Sequence, residues 1–363
     1  MFDTAHDLAH AADVHTNDTL RLETPTAPGS TTTFSGSRAR SARELTPDTL
    51  IIWRLTPALI GLYVLLALTG HGLLVTKTLI LPLLGLYALC HRERAAFLRD
   101  WGPYVAGTLL FDACRGLIFT FTETGAILVH RDYVILLEQL VTGTSAMSVA
   151  LQTAWRSTIL DRVFVAWHGS HFLFFLVFGL AVWHTRREEF WRYRSACLGV
   201  MYCGLVIYAL IPTAPPWLAS RDGLVPQVTP ITHQVYAASV PLELVKAFDS
   251  NPVAAMPSLH IAFPAVCAML GLRISGPVIG LLLFTYVIVQ AMGVVYLGEH
   301  YLVDIIAGAL LAWFVVRQVW RHRGAHILSL RLAAAYTAII LAGTAAIYLV
   351  NVIIRHQLLP RPN

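Results

Sequence analysis

From about residue 51 the chain runs in long apolar windows separated by short polar connections, at roughly 51–69, 72–90, 99–119, 163–184, 195–212, 258–273, 277–295, 301–318 and 332–354. A helix that crosses a bilayer needs about 20 predominantly apolar residues. The pattern therefore predicts an all-α, polytopic membrane helix bundle of about nine transmembrane helices. The tract Ile211-Pro-Thr-Ala-Pro-Pro-Trp217 predicts an abrupt helix end, because proline lacks a donor and restricts the residue before it. Residues 120–160 are too polar to cross but carry apolar patches, at Tyr133–Leu140 and Ala146–Trp155. One or two amphipathic helices on the outer membrane surface are expected there.

Composition strengthens the membrane reading: 56% of residues are hydrophobic and 13% charged, against about 25% charged in ordinary soluble domains. The formal charge of +5 rests on 26 Lys and Arg, of which 24 are arginine. These fall in clusters between apolar windows, as expected for contact with anionic lipid, and no nucleic-acid module is visible. With the N-terminus inside, alternate connections carry Arg92/Arg94/Arg99, Arg186/Arg187/Arg192/Arg194, Arg273 and Arg317/Arg321/Arg323/Arg331. The opposite connections are poor in cations for their length, so the two long loops are expected outside. Residues 1–50, rich in Thr, Ser, His and Pro, read as a disordered cytoplasmic tail. Residues 51–98 read as accessory membrane helices, 99–318 as the main membrane domain, and 319–363 as a last membrane helix and tail.

Chemistry-bearing residues collect at predicted outer helix ends. His260 lies in Asn251-Pro-Val-Ala-Ala-Met-Pro-Ser-Leu-His260, and His300 in Tyr296-Leu-Gly-Glu-His-Tyr-Leu-Val-Asp304. Asp304 sits one helical turn beyond His300, where a carboxylate fixes an imidazole tautomer. An acidic residue one turn inside a membrane helix is costly without a partner, and His300 is the nearest. The simpler alternative is a set of helix-end polar groups, with Ser258 as an N-cap. The five cysteines have no metal-ligand spacing and read as small buried hydrophobes.

Pro257-Ser258-Leu259-His260 and His300 with Asp304 resemble the second and third signatures of the type 2 phosphatidic acid phosphatase (PAP2) superfamily. The PSLH form, the His-Tyr-x-x-Asp spacing and the Pro212–Trp217 tract are most similar to the inositol phosphorylceramide synthase branch and its bacterial relatives. The resemblance covers roughly residues 100–318 and is strongest over 251–308. It implies a PAP2-like helical core with His300 as nucleophile, Asp304 as its orienting carboxylate and His260 as the acid for the leaving oxygen. It also implies the absence of metal and cofactor. The chain departs from the phosphatase form, which carries an arginine six residues before the nucleophilic histidine and a serine before that; Val294 and Gly293 stand here. The lysine and Arg-Pro of the first signature are missing too.

Phosphate charge still needs a cation. The best candidate is Arg115 in Phe111-Asp-Ala-Cys-Arg-Gly116, oriented by Asp112; the alternative is a self-neutralising i to i+3 pair. His168 and His171 in Trp167-His-Gly-Ser-His171, with Glu299, Arg156 and Arg162, are candidates for binding a headgroup or acceptor. Packing and solvated roles remain the alternatives for them.

The expected activity is transfer of a phosphoryl-headgroup from a membrane lipid to a hydroxyl acceptor such as inositol, a sugar or another lipid, through a phosphohistidine. One alternative is a lipid or polyprenyl phosphate phosphatase that uses water; another is a non-catalytic lipid transporter or binding protein. The expected location is a bacterial plasma membrane, with the site facing outside.

Overall fold

The computed structural model describes residues 84–238 and 251–321. They form an all-α bundle: α1 (Arg94–Glu123), α2 (Asp132–Thr142), α3 (Met147–Trp155), α4 (Thr158–Thr185), α5 (Arg187–Leu210), α6 (Pro216–Arg221), α7 (Ile231–Ala237), α8 (Leu259–Ser275), α9 (Pro277–Tyr296) and α10 (Leu302–Arg321). The helix end predicted at Ile211 falls one residue after the last residue of α5.

The expectation of nine crossings is corrected. Among the described residues, α1, α4, α5, α9 and α10 are long and apolar enough to cross a membrane, making five; α2 and α3 make a sixth if taken as one broken span. The window at 258–273 forms α8, which is only 17 residues long. Hydropathy records apolarity and not its cause, and α8 is apolar because it is enclosed by other helices. It packs against α9, α10, α5 and α4. The tail 1–50, the windows 51–69 and 332–354, and most of 72–90 lie outside the described residues.

The segment expected on the outer surface is helical but not simply amphipathic. α2 and α3 meet at 61°, across a break that Gly143 opens at φ 76°. Tyr133, Val134, Glu138, Ser148 and Gln152 are buried, so the pair contributes an inward polar face to the bundle. Gln152 Nε2 donates to the carbonyls of Tyr296 at 2.8 Å and Thr229 at 3.1 Å, while its Oε1 accepts from Thr229 N at 2.9 Å. These bonds lock α3 to the end of α9 and to the chain entering α7.

Two close approaches set the position of α8. Gly308 of α10 lies against the backbone of Ser258, where an added Cβ would come within 2.2 Å of the Ser258 carbonyl oxygen. The Ser258 amide donates to the Asp304 carbonyl at 3.0 Å. The Ser258 hydroxyl makes no capping bond to α8, so the N-cap alternative is not what holds this turn. Short bridges link His130, Thr213 and Ala254, with His130 N to Pro212 O and Thr213 N to Val253 O both 2.7 Å. They gather the three connections on this side of the bundle.

Candidate active site

The connection from α9 to α10 is tight. Gly298 takes φ 80°, a backbone that side chains with a Cβ seldom adopt, and the amides of Glu299 and His300 both turn back to the Val294 carbonyl, at 3.1 and 3.3 Å. His300 is thereby presented at the start of α10, 3% exposed. Asp304, fully buried, accepts from the Tyr301 amide at 2.9 Å through Oδ2. The same oxygen stands 3.4 Å from His300 Nδ1. Desolvation, with Asp304 and Glu138 nearby, pushes the Tyr301 phenol well above its usual value, so it stays neutral.

His260 enters from the first turn of α8. Its Nδ1 is 2.9 Å from His300 Nε2, and its Nε2 is 3.0 Å from His168 Nε2 on α4. Asp304, His300, His260 and His168 thus form one row drawn from three helices and the turn before α10. His171, one turn after His168, gives its Nδ1 proton to the His168 carbonyl at 2.7 Å, and its ring lies 4.4 Å from that of His260. Tyr208 of α5 donates to the Pro257 carbonyl at 2.7 Å and fixes the turn before α8.

A cavity of about 230 Å³ opens beside His260, between α1, α4, α5 and α8. At one end lie Asp112, Arg115, His171 and His260; Trp101, Val105, Phe175 and Leu176 belong to the rest of a mostly apolar wall. Trp101 and Arg115 are fourteen positions apart on α1, about 21 Å at 1.5 Å per residue. Asn251, just before the PSLH turn, donates to the Arg115 carbonyl at 3.1 Å and ties α1 to it.

The other candidates lie elsewhere. Arg156 bonds to Thr229 and to Gln234 Oε1, the latter at 3.1 Å, and sits 3.8 Å from Asp161; these are ties between α3, α4 and the α7 region. Arg162 is exposed. Neither arginine lines the cavity, and neither does Glu299, which is partly exposed in the turn before His300.

Glu138 was not among the residues expected at the site. Fully buried, it accepts from Met147 N at 3.3 Å and Val303 N at 3.2 Å, so one carboxylate ties α3 to the first turn of α10. The signal was present: an acidic residue inside the apolar stretch Tyr133–Leu140 demands partners as Asp304 does.

Residues 134–318 match the family described as the PAP2 superfamily, just over half of the chain. A phosphoinositol dihydroceramide synthase from Bacteroides thetaiotaomicron is 29% identical over 151 residues, covering 38% of this chain and 49% of that protein. The chain thus spans about half the length of the curated relative it matches. No solved structure matches it. The matched segment begins in α2 and closes in α10, enclosing the whole histidine row, and the protein is a member of the PAP2 superfamily.

Proposed function

We propose that this membrane protein is a lipid phosphate phosphatase that works through a phosphohistidine on His300, with its site at the outer side of the membrane. The observation that carries the reading is the His260 to His300 contact of 2.9 Å beside an apolar cavity. Two imidazoles that touch can bracket one phosphate, a proximity worth several orders of magnitude in rate once the groups are aligned. A carboxylate at His300 Nδ1 keeps the proton there and leaves the Nε2 lone pair for phosphorus. An entering phosphate takes the place of the direct bond between the two rings.

In the first step His300 Nε2 attacks phosphorus, the bond from phosphorus to the lipid oxygen breaks, and that oxygen takes a proton from His260. Water then attacks phosphorus, giving a proton back to His260 as the P–N bond breaks, and inorganic phosphate leaves. Arg115, oriented by Asp112, shares the polar end of the cavity with His260 and balances phosphate charge. The apolar wall between α1 and α4 suits a hydrocarbon chain, and membership in a lipid-phosphate family supports the same substrate class.

Water is favoured as acceptor because it needs no pocket of its own. An inositol or sugar would bring several hydroxyls, and the cavity wall away from Arg115 and the histidines is mainly apolar. Transfer to a hydroxyl acceptor is a second reading, favoured by the name of the Bacteroides relative and by the missing phosphatase-type arginine.

Purified protein given a ³²P-labelled lipid phosphate should acquire an acid-labile, base-stable label and release inorganic phosphate. His300→Ala should carry no label, and Arg115→Lys, which keeps charge but loses the two-pronged guanidinium geometry, should turn over at least about tenfold more slowly. Label retained by His300→Ala would remove the covalent assignment. A labelled phosphodiester formed only when inositol, a sugar or diacylglycerol is added would move the assignment to transferase.

A further inference from the structure

His168 has no place in the two-histidine scheme, yet it touches His260 as closely as His300 does. We infer that His168 is a positioning residue that fixes the tautomer of His260, as Asp304 fixes that of His300, so that His260 works through Nδ1. The inference rests on the phosphatase reading above.

An ionised carboxylate only accepts, so the His300 nitrogen facing Asp304, Nδ1, carries the proton and His300 Nε2 has a lone pair. That lone pair accepts from His260, so His260 Nδ1 carries a proton in the resting site. The 3.0 Å contact between His260 Nε2 and His168 Nε2 then holds one further proton. His168, to accept at Nε2, keeps its own proton on Nδ1; the shared proton on His260 makes an imidazolium whose outer N–H is bound by His168, and on His168 it leaves His260 neutral and moves the positive charge to His168. The acid needed for lipid departure is the first state, stabilised by an acceptor for the N–H that does not react.

The cycle balances with His168 as acceptor. Imidazolium His260 gives the Nδ1 proton to the lipid oxygen as the P–O bond breaks, and remains neutral with its proton on Nε2, held by His168. That tautomer leaves the Nδ1 lone pair aimed at the phosphohistidine. It takes the proton of the attacking water, and the imidazolium is restored. One proton leaves His260 and one returns. Without an acceptor at Nε2, neutral His260 is free to hold its proton on either nitrogen and to turn its ring.

The backbone supports this fixed role. α4 packs against α8 and α9, and the His168 carbonyl takes the Nδ1 proton of His171 at 2.7 Å. The other groups that face His260 are His171 from α4, Arg115 from α1 across the cavity, and His300 backed by Asp304 from the α10 end. They are common to the wild type and the variants, so a change on replacing His168 reports His168.

The test compares two phosphate monoesters on purified full-length protein: dioctanoylglycerol phosphate, whose alkoxide leaving group needs a proton, and p-nitrophenyl phosphate, whose leaving group does not. His168→Ala should lower the single-turnover rate of phosphoenzyme formation from the lipid at least about tenfold, with a loss no greater than about threefold from the aryl ester. His168→Gln, whose amide oxygen accepts from Nε2–H, should recover most of the lipid rate. Equal losses on both esters in both variants, or no loss on the lipid, would overturn the inference. Activity surviving in His300→Ala counts instead against the phosphohistidine reading; a His300-dependent rate with no difference between the esters counts against His168 alone.

Discussion

A carboxylate buried among apolar helices is held by the donors it satisfies, and two such groups govern the α10 end of this protein. Asp304 takes the Tyr301 amide and faces His300; Glu138 takes the amides of Met147 and Val303. Glu138→Gln replaces one accepting oxygen by an NH₂ that meets an N–H head on. A buried donor left unpaired costs about 1–3 kcal/mol, so this variant should melt lower. It should also lose turnover, because the first turn of α10 carries Asp304. Thermal unfolding in detergent beside a phosphate-release assay checks both; a stable, fully active variant would deny Glu138 this part. At this scale the pair of His260 and His300 was legible from sequence, because two histidines at matching helix ends stand out in an apolar chain. His168 was visible only as one of several candidates. What singles it out is its distance to His260, and 92 positions separate the two in sequence.

At the scale of elements, the site depends on how closely α8 and α10 approach. Gly308 is four residues beyond Asp304 and faces the backbone of Ser258, a contact that cannot relax by moving a side-chain tip. Gly308→Ala should therefore displace the PSLH turn from α10 and cost at least about 2 kcal/mol through overpacking. The lost register should separate His260 from His300, with turnover falling more than stability alone explains. Melting temperature and kcat measured on the same preparation decide it; wild-type values for both would show that the contact is not limiting. Helices α1, α4, α5, α9 and α10 were readable as apolar windows, although α5 begins well before its window, at Arg187. α8 misled the count, since a short helix wrapped by neighbours is as apolar as one facing lipid. α2 and α3 were readable as helices but not as a bent, inward-facing pair, because polar Glu138 and Gln152 are satisfied by partners far along the chain.

For the whole molecule, the proposed function rests on the mostly apolar cavity between α1, α4, α5 and α8 beside the histidine row. Leu176 lines it within α4, and Leu176→Trp should fill it. The expected result is a fall in kcat/KM of at least about tenfold on a long-chain lipid phosphate, and a much smaller loss on p-nitrophenyl phosphate, which needs no chain site. Parallel rates on the two substrates measure this directly, and an equal loss on both would move the chain site elsewhere. The sequence by itself determined that the protein is helical and membrane-embedded, and it marked His260, His300, Asp304 and Arg115 as the groups to watch. Those features are local: apolarity follows from consecutive residues, and a histidine with a carboxylate one turn away is a relation within a single helix end. Only the tertiary structure decided how many described helices are long enough to cross, that His168 abuts His260, and that an apolar cavity ends at Arg115. These depend on distances between helices far apart in sequence, which packing, close glycine contacts and buried hydrogen bonds set together.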